Sequence, residues 1–71
     1  MKTPTIEEIT KSAQELYEWS FRRIRKAQDG SASREEIARL EGINEAAGTL
    51  LLQLIGGAGL YELTESLQVE E

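Results

Sequence analysis

Apolar residues recur every three or four positions along the first part of the chain, and that spacing predicts a helix. Ile6, Ile9, Ala13, Leu16, Ser20, Ile24 and Ala27 mark one helical face, which Tyr17 and Phe21 widen while Trp19 lies off its centre. Two start signals overlap: Thr3 is an N-cap ahead of Pro4 at the first helical position, and Thr5 with Glu8 makes a capping box. The stop is "QDGS" at 28–31, where Gly30 suits the left-handed conformation that ends many helices. Helix 1 is therefore expected over about residues 5–28.

A second start follows at "SREE". Ser33 as N-cap and Glu36 three residues on form another capping box, and Glu35 places negative charge where the helix dipole favours it. Ile37, Ala38 and Leu40 give a short apolar face before Gly42, so helix 2 is expected over about 34–41. Asn44 then reads as the N-cap of helix 3, about 45–56, in which Ala46, Ala47, Leu50, Leu51, Leu54 and Ile55 are spaced for burial. Gly56-Gly57 closes it. The tail, 58–69, has two readings: Leu60, Leu63 and Leu67 suit a short amphipathic helix, whereas period-two alternation suits two short strands joined around Thr64 to Ser66.

Taken in order, the elements of residues 33–69 resemble a winged helix-turn-helix domain. Ala38 matches the small residue where the first two helices of that motif approach most closely, and Gly42 matches the turn glycine four residues later. Ile43 matches the apolar plug of the turn, Asn44 the polar cap of the recognition helix, and Gly59-Leu60 the step into the wing. The resemblance implies a mainly α fold of three helices, with a helix-turn-helix and a C-terminal two-stranded wing, in one domain over 1–71. Three features depart from the pattern: Gly48 stands where isoleucine or valine is usual, Glu41 precedes the turn glycine, and the wing carries no base. A plain helical hairpin bundle is the competing arrangement.

Composition narrows the chemistry. A domain of 71 residues buries only ~60% of its unfolded-chain surface, so dimerisation is a reasonable way to gain burial. With no cysteine and no histidine, disulfides, zinc fingers and His-based catalysis drop out, and neither a metal nor a cofactor is expected. "GGAG" lacks the spacing of a phosphate loop, no nucleophile–base pair stands out, and the chain is read as non-enzymatic. The N-terminal stretch lacks the apolar core of a signal peptide, and the longest unbroken apolar run, Leu50 to Leu52, is too short to span a bilayer. A cytoplasmic protein without a membrane partner is the expectation.

Charge then divides the chain. Residues 1–39 hold eight bases and seven acids, whereas 40–71 hold six glutamates and no base. The wing-helix resemblance implies DNA binding in transcription regulation, yet helix 3 supplies only Asn44, Thr49 and Gln53 as uncharged polar readers, with Glu45 at its entrance. Phosphate contact therefore falls to Arg22, Arg23, Arg25, Lys26 and Arg34, which form a basic patch for DNA or an acidic protein surface. The same cations also complement the dipole at the end of helix 1 and pair with carboxylates. Helix 3 carries apolar residues on more than one face, so Leu51, Leu52 and Ile55, together with Trp19, are candidates for contact with a protein partner or a second copy. The leading expectation is a dimeric regulatory module. The alternative is a protein-interaction domain that never touches nucleic acid, including an acidic inhibitor of a nucleic-acid-binding protein.

Overall fold

A computed structural model describes residues 3–30 and 32–69. Helix α1 runs Ile6–Asp29, and helix α2 runs Arg34–Val69 with an interruption at Gly56. Thr5 caps α1: its Oγ1 accepts from the Glu8 amide at 3.1 Å, and the Glu8 carboxylate accepts from the Thr5 amide at 3.3 Å. Of the two overlapping start signals, the reciprocal box prevails because it satisfies a free amide on each side of the turn. Ser33 Oγ accepts from the Glu36 amide at 3.2 Å at the head of α2. Gly30 follows α1 in extended rather than left-handed geometry (φ −109°, ψ −157°), and its amide still reaches the Ala27 carbonyl at 3.3 Å.

The expected three helices with a helix-turn-helix and a wing are not what forms. Gly42 is interior to a continuous helix, so the expected helices 34–41 and 45–56 are one limb, 34–55. The reason lies in the stripe: Leu40, Ile43, Ala47, Leu51 and Leu54 are spaced three or four apart straight through position 42, and a turn there would throw the two halves out of phase. The tail 57–69 is helical, and no strand occurs among the described residues. Leu60, Leu63 and Leu67 thus follow their helical spacing, with Leu67 buried and the other two packed against the core.

The real break is at Gly56, with φ 79° and ψ 171°. That combination is essentially confined to glycine, because a Cβ there would collide with the flanking peptide. Without it, a straight helix of 36 residues would be about 54 Å long, whereas the longest extent of the chain is 40 Å. The kink lets the limb 57–69 pack beside the hairpin made by α1 and the limb 34–55.

The core is small: Ala13 and Tyr17 of α1 with Ala47, Leu51 and Leu67 of α2. Gly48 sits under the Tyr17 ring, and a Cβ on it would stand 3.2 Å from Tyr17 Cε1. A side chain at 48 would press on the aromatic ring that occupies its place. Ser20 is fully buried; its hydroxyl donates to the Tyr17 carbonyl at 3.0 Å and accepts from Asn44 Nδ2 at 3.0 Å. The same amide reaches the Tyr17 carbonyl at 3.3 Å. Asn44, expected as a helix cap, instead ties the two helices together from mid-helix and leaves the buried hydroxyl satisfied. At the third helical segment, Thr64 Oγ1 donates to the Leu60 carbonyl at 2.9 Å. A hydroxyl has one hydrogen, so the 2.9 Å contact between Thr64 and the Tyr17 phenol is donated by the tyrosine.

Candidate interaction surface

The two flanks of the hairpin differ. On one, Tyr17 and Phe21 of α1 and Leu51 and Ile55 of α2 meet Leu60, Leu63 and Leu67 of the C-terminal limb. The other has no such cover. Leu16 and Trp19 are three residues apart on α1, and Ile43 and Leu50 are seven apart on α2, so each pair shares a helix face. Leu16 is 45% exposed, Trp19 47% and Leu50 42%. Ile9, seven residues before Leu16, extends the strip and is also exposed.

Between the helices on this flank lies a concavity of about 380 Å³. Its apolar part is Trp19, Ala27, Leu40 and Ile43; Arg23 and Lys26 of α1 and Arg39 and Glu36 of α2 supply the charge. The concavity thus joins an apolar floor to a mainly cationic rim. Among the described residues, every buried side-chain nitrogen and oxygen is hydrogen-bonded, so no orphaned polar group is aimed into the cleft. Nor do three acidic side chains converge on a metal-sized site among those residues.

The members of the expected basic patch differ in what they touch. Arg22 pairs with Glu18 at 3.6 Å, on an exposed part of α1. Arg25 stacks over the Phe21 ring at 5.8 Å and borders a different concavity, lined also by Glu41 and Glu45. Only Arg23 and Lys26 reach the open groove, and Arg34 is exposed at the first turn of α2. At about 100° per residue, Arg25, Arg22, Lys26 and Arg23 follow one another across one half of the α1 surface, with Arg25 and Arg23 at its two edges. Arg39, which completes the groove's rim, had no distinguishing mark in the sequence. Its place follows from lying four residues before Ile43 on the same face.

The expected apolar contact set is also redistributed. Leu51 is fully buried and belongs to the core, and Ile55 is half-buried against it. Leu52 is exposed, but nine residues of helix separate it from Ile43, which turns it to the opposite side of α2. Trp19 alone of the four lies on the open flank.

Helix α2 is long and apolar enough, by length and composition, to cross a membrane, and little of that stretch is buried. The expectation of no spanning segment rests on unbroken apolar runs, and single glutamines, glycines and threonines interrupt those runs here without adding charge. The Gly56 break falls inside the uncharged run 46–61, whose two parts pack against α1 here.

Compared with known proteins, the chain matches no family model, no curated protein and no solved structure.

Proposed function

We propose that this chain is a non-enzymatic helical interaction module that docks protein on the open flank of α1 and the limb 34–55. The observation that carries this reading is the uncovered strip of Leu16, Trp19, Ile43 and Leu50 beside a groove rimmed by Arg23, Lys26 and Arg39. Half-exposed tryptophan among leucines, with arginine at the margin, is the composition of an interface centre rather than of a solvated face. A phosphate-gripping surface would leave its cations to the anion, whereas here Arg22 pairs with Glu18 and Arg25 stacks over Phe21.

A photo-crosslinking amino acid placed at Leu16 tests the reading in cells, with the same group at Glu62 as control. A protein adduct of defined mass from position 16, absent from position 62, is the expected outcome. Duplex DNA supplies the opposing arm. Saturable binding at low salt that disappears in Arg23→Ala and Lys26→Ala, with no adduct at position 16, would replace the protein-docking reading by a nucleic-acid one.

A further inference from the structure

The open flank carries a more specific message about its occupant, one that rests on the protein-docking reading above. Glu15, Trp19 and Arg23 lie four residues apart on one ridge of α1, and all three are exposed. The ridge has opposite charges at equal distances on either side of its tryptophan. Seven residues out, Ser12 and Lys26 occupy the equivalent positions, so no like charges oppose there either. We propose that the occupant of this flank is a second copy of the chain, related by a two-fold axis near Trp19.

The geometry follows from helix packing. In the commonest crossing class, the ridges of residues four apart on two helices run parallel and interdigitate, at an interaxial angle of about 50°. A two-fold axis beside Trp19 lays the reversed ridge in the adjoining groove, so Glu15 of each copy lies alongside Arg23 of the other, twice per dimer. Each Trp19 then covers apolar surface of the other copy beside the groove floor of Leu40 and Ile43. The ion pairs select the antiparallel orientation, since a parallel pairing would set Glu15 on Glu15 and Arg23 on Arg23.

Surface area supports the same occupant. A compact monomer of 7.9 kDa exposes about 4,400 Å². This chain exposes 5558 Å², an excess of roughly 1,100 Å² over that expectation. A standard interface removes about 800 Å² from each partner. Part of that excess is the half-exposed apolar surface of Leu16, Trp19 and Leu50 on the open flank. A second copy covers that surface with matching apolar and charged positions.

Charge reversal tests the arrangement directly. The wild-type chain is expected to sediment as a dimer. Glu15→Arg and Arg23→Glu should each weaken association at least about tenfold, because each sets like charges together at two symmetric places. Circular dichroism should report unchanged helix content in both, since these side chains lie outside the core. Mixing the two variants should restore association as a heterodimer, because Arg at 15 in one chain then faces Glu at 23 in the other, and its native pair is rebuilt on the far side of the axis. Intrahelical effects cannot produce that rescue, as each variant chain is unchanged by mixing. Trp19→Ala should be folded and monomeric.

A wild-type monomer at high concentration overturns the proposal, and so does a dimer indifferent to both charge reversals or not restored by mixing. The crosslinker at Leu16 separates the two levels of the argument. An adduct of twice the chain mass supports self-pairing; an adduct with a different protein and a monomeric chain in sedimentation overturns self-pairing while leaving protein docking in place. No adduct of either kind removes both.

Discussion

Gly42 and Gly56 lie in the same helix, α2, and the chain treats them in opposite ways. At Gly42 the helix passes through without interruption, and a Cβ built there meets nothing within 4 Å. At Gly56 a Cβ also meets nothing beyond its own flanking residues, yet the backbone has φ 79° and the helix is broken. Space is therefore not what distinguishes them. What differs is the phase of the apolar residues on either side: Leu40, Ile43, Ala47, Leu51 and Leu54 form one stripe across the first glycine. The second separates a limb facing α1 from a limb that must fold back onto the same core. A glycine in a helical pattern is a permitted break, and the burial on its two sides decides whether the break is used.

The sharpest way to break this comparison is at Gly56 itself. Gly56→Ala forces a side chain into a backbone region that is essentially glycine's alone, at a cost of about 1–3 kcal/mol. The midpoint of urea unfolding should fall accordingly, and amide exchange should accelerate first in 57–69, the segment whose docking needs the kink. If both are unchanged, the kink does not depend on glycine.

Next in size is the bond that the kink makes possible. Tyr17→Phe removes the phenol that donates to Thr64, while the Thr64 hydroxyl keeps its bond to the Leu60 carbonyl. Loss of one such hydrogen bond, with the remaining partner still satisfied, is worth about 1 kcal/mol. Thr64→Val should cost a similar amount, and the double variant should cost less than the two together, since both remove one interaction. Full additivity would mean that the phenol and the hydroxyl do not act as a pair.

Much of this was legible in the sequence wherever a signal is local. The Thr5–Glu8 box and the Ser33 cap are satisfied by backbone within one turn, so residue type and spacing suffice to place them. The α1 stripe was equally plain, and Ala13, Tyr17 and Ser20 are its buried members. The helix-turn-helix reading failed because Ala38, Gly42, Ile43 and Asn44 satisfy a turn's local requirements equally well when they lie on a helix. Asn44 found its partners in Tyr17 and Ser20, far away in sequence, and that bond is visible only once two helices are side by side. The candidate surface divides in the same manner. Trp19 stood out by lying off its stripe, while Arg39 and Ile43 join it only through the antiparallel pairing of α1 with α2. Leu51 and Leu52 are neighbours in sequence and alike in chemistry, and one is core and the other solvent-exposed because a helix turns about 100° between them.

The smallest effect is the most discriminating, because the two readings of Gly42 assign it opposite signs. Were Gly42 the turn of a helix-turn-helix, a side chain there would strain a left-handed backbone and lower stability. In a continuous helix with open space around it, Gly42→Ala removes backbone freedom from the unfolded chain and adds a better helix former at no steric cost. The expected result is a gain of up to about 1 kcal/mol, seen as a higher urea midpoint with an unchanged slope. The sign matters more than the size. A loss of stability in Gly42→Ala, set beside the loss in Gly56→Ala, would make both glycines breaks and overturn the continuous limb 34–55. A gain at one and a loss at the other would leave a single hinge in α2, at the position where the chain turns back to cover one flank of the hairpin and leaves the Trp19 flank open.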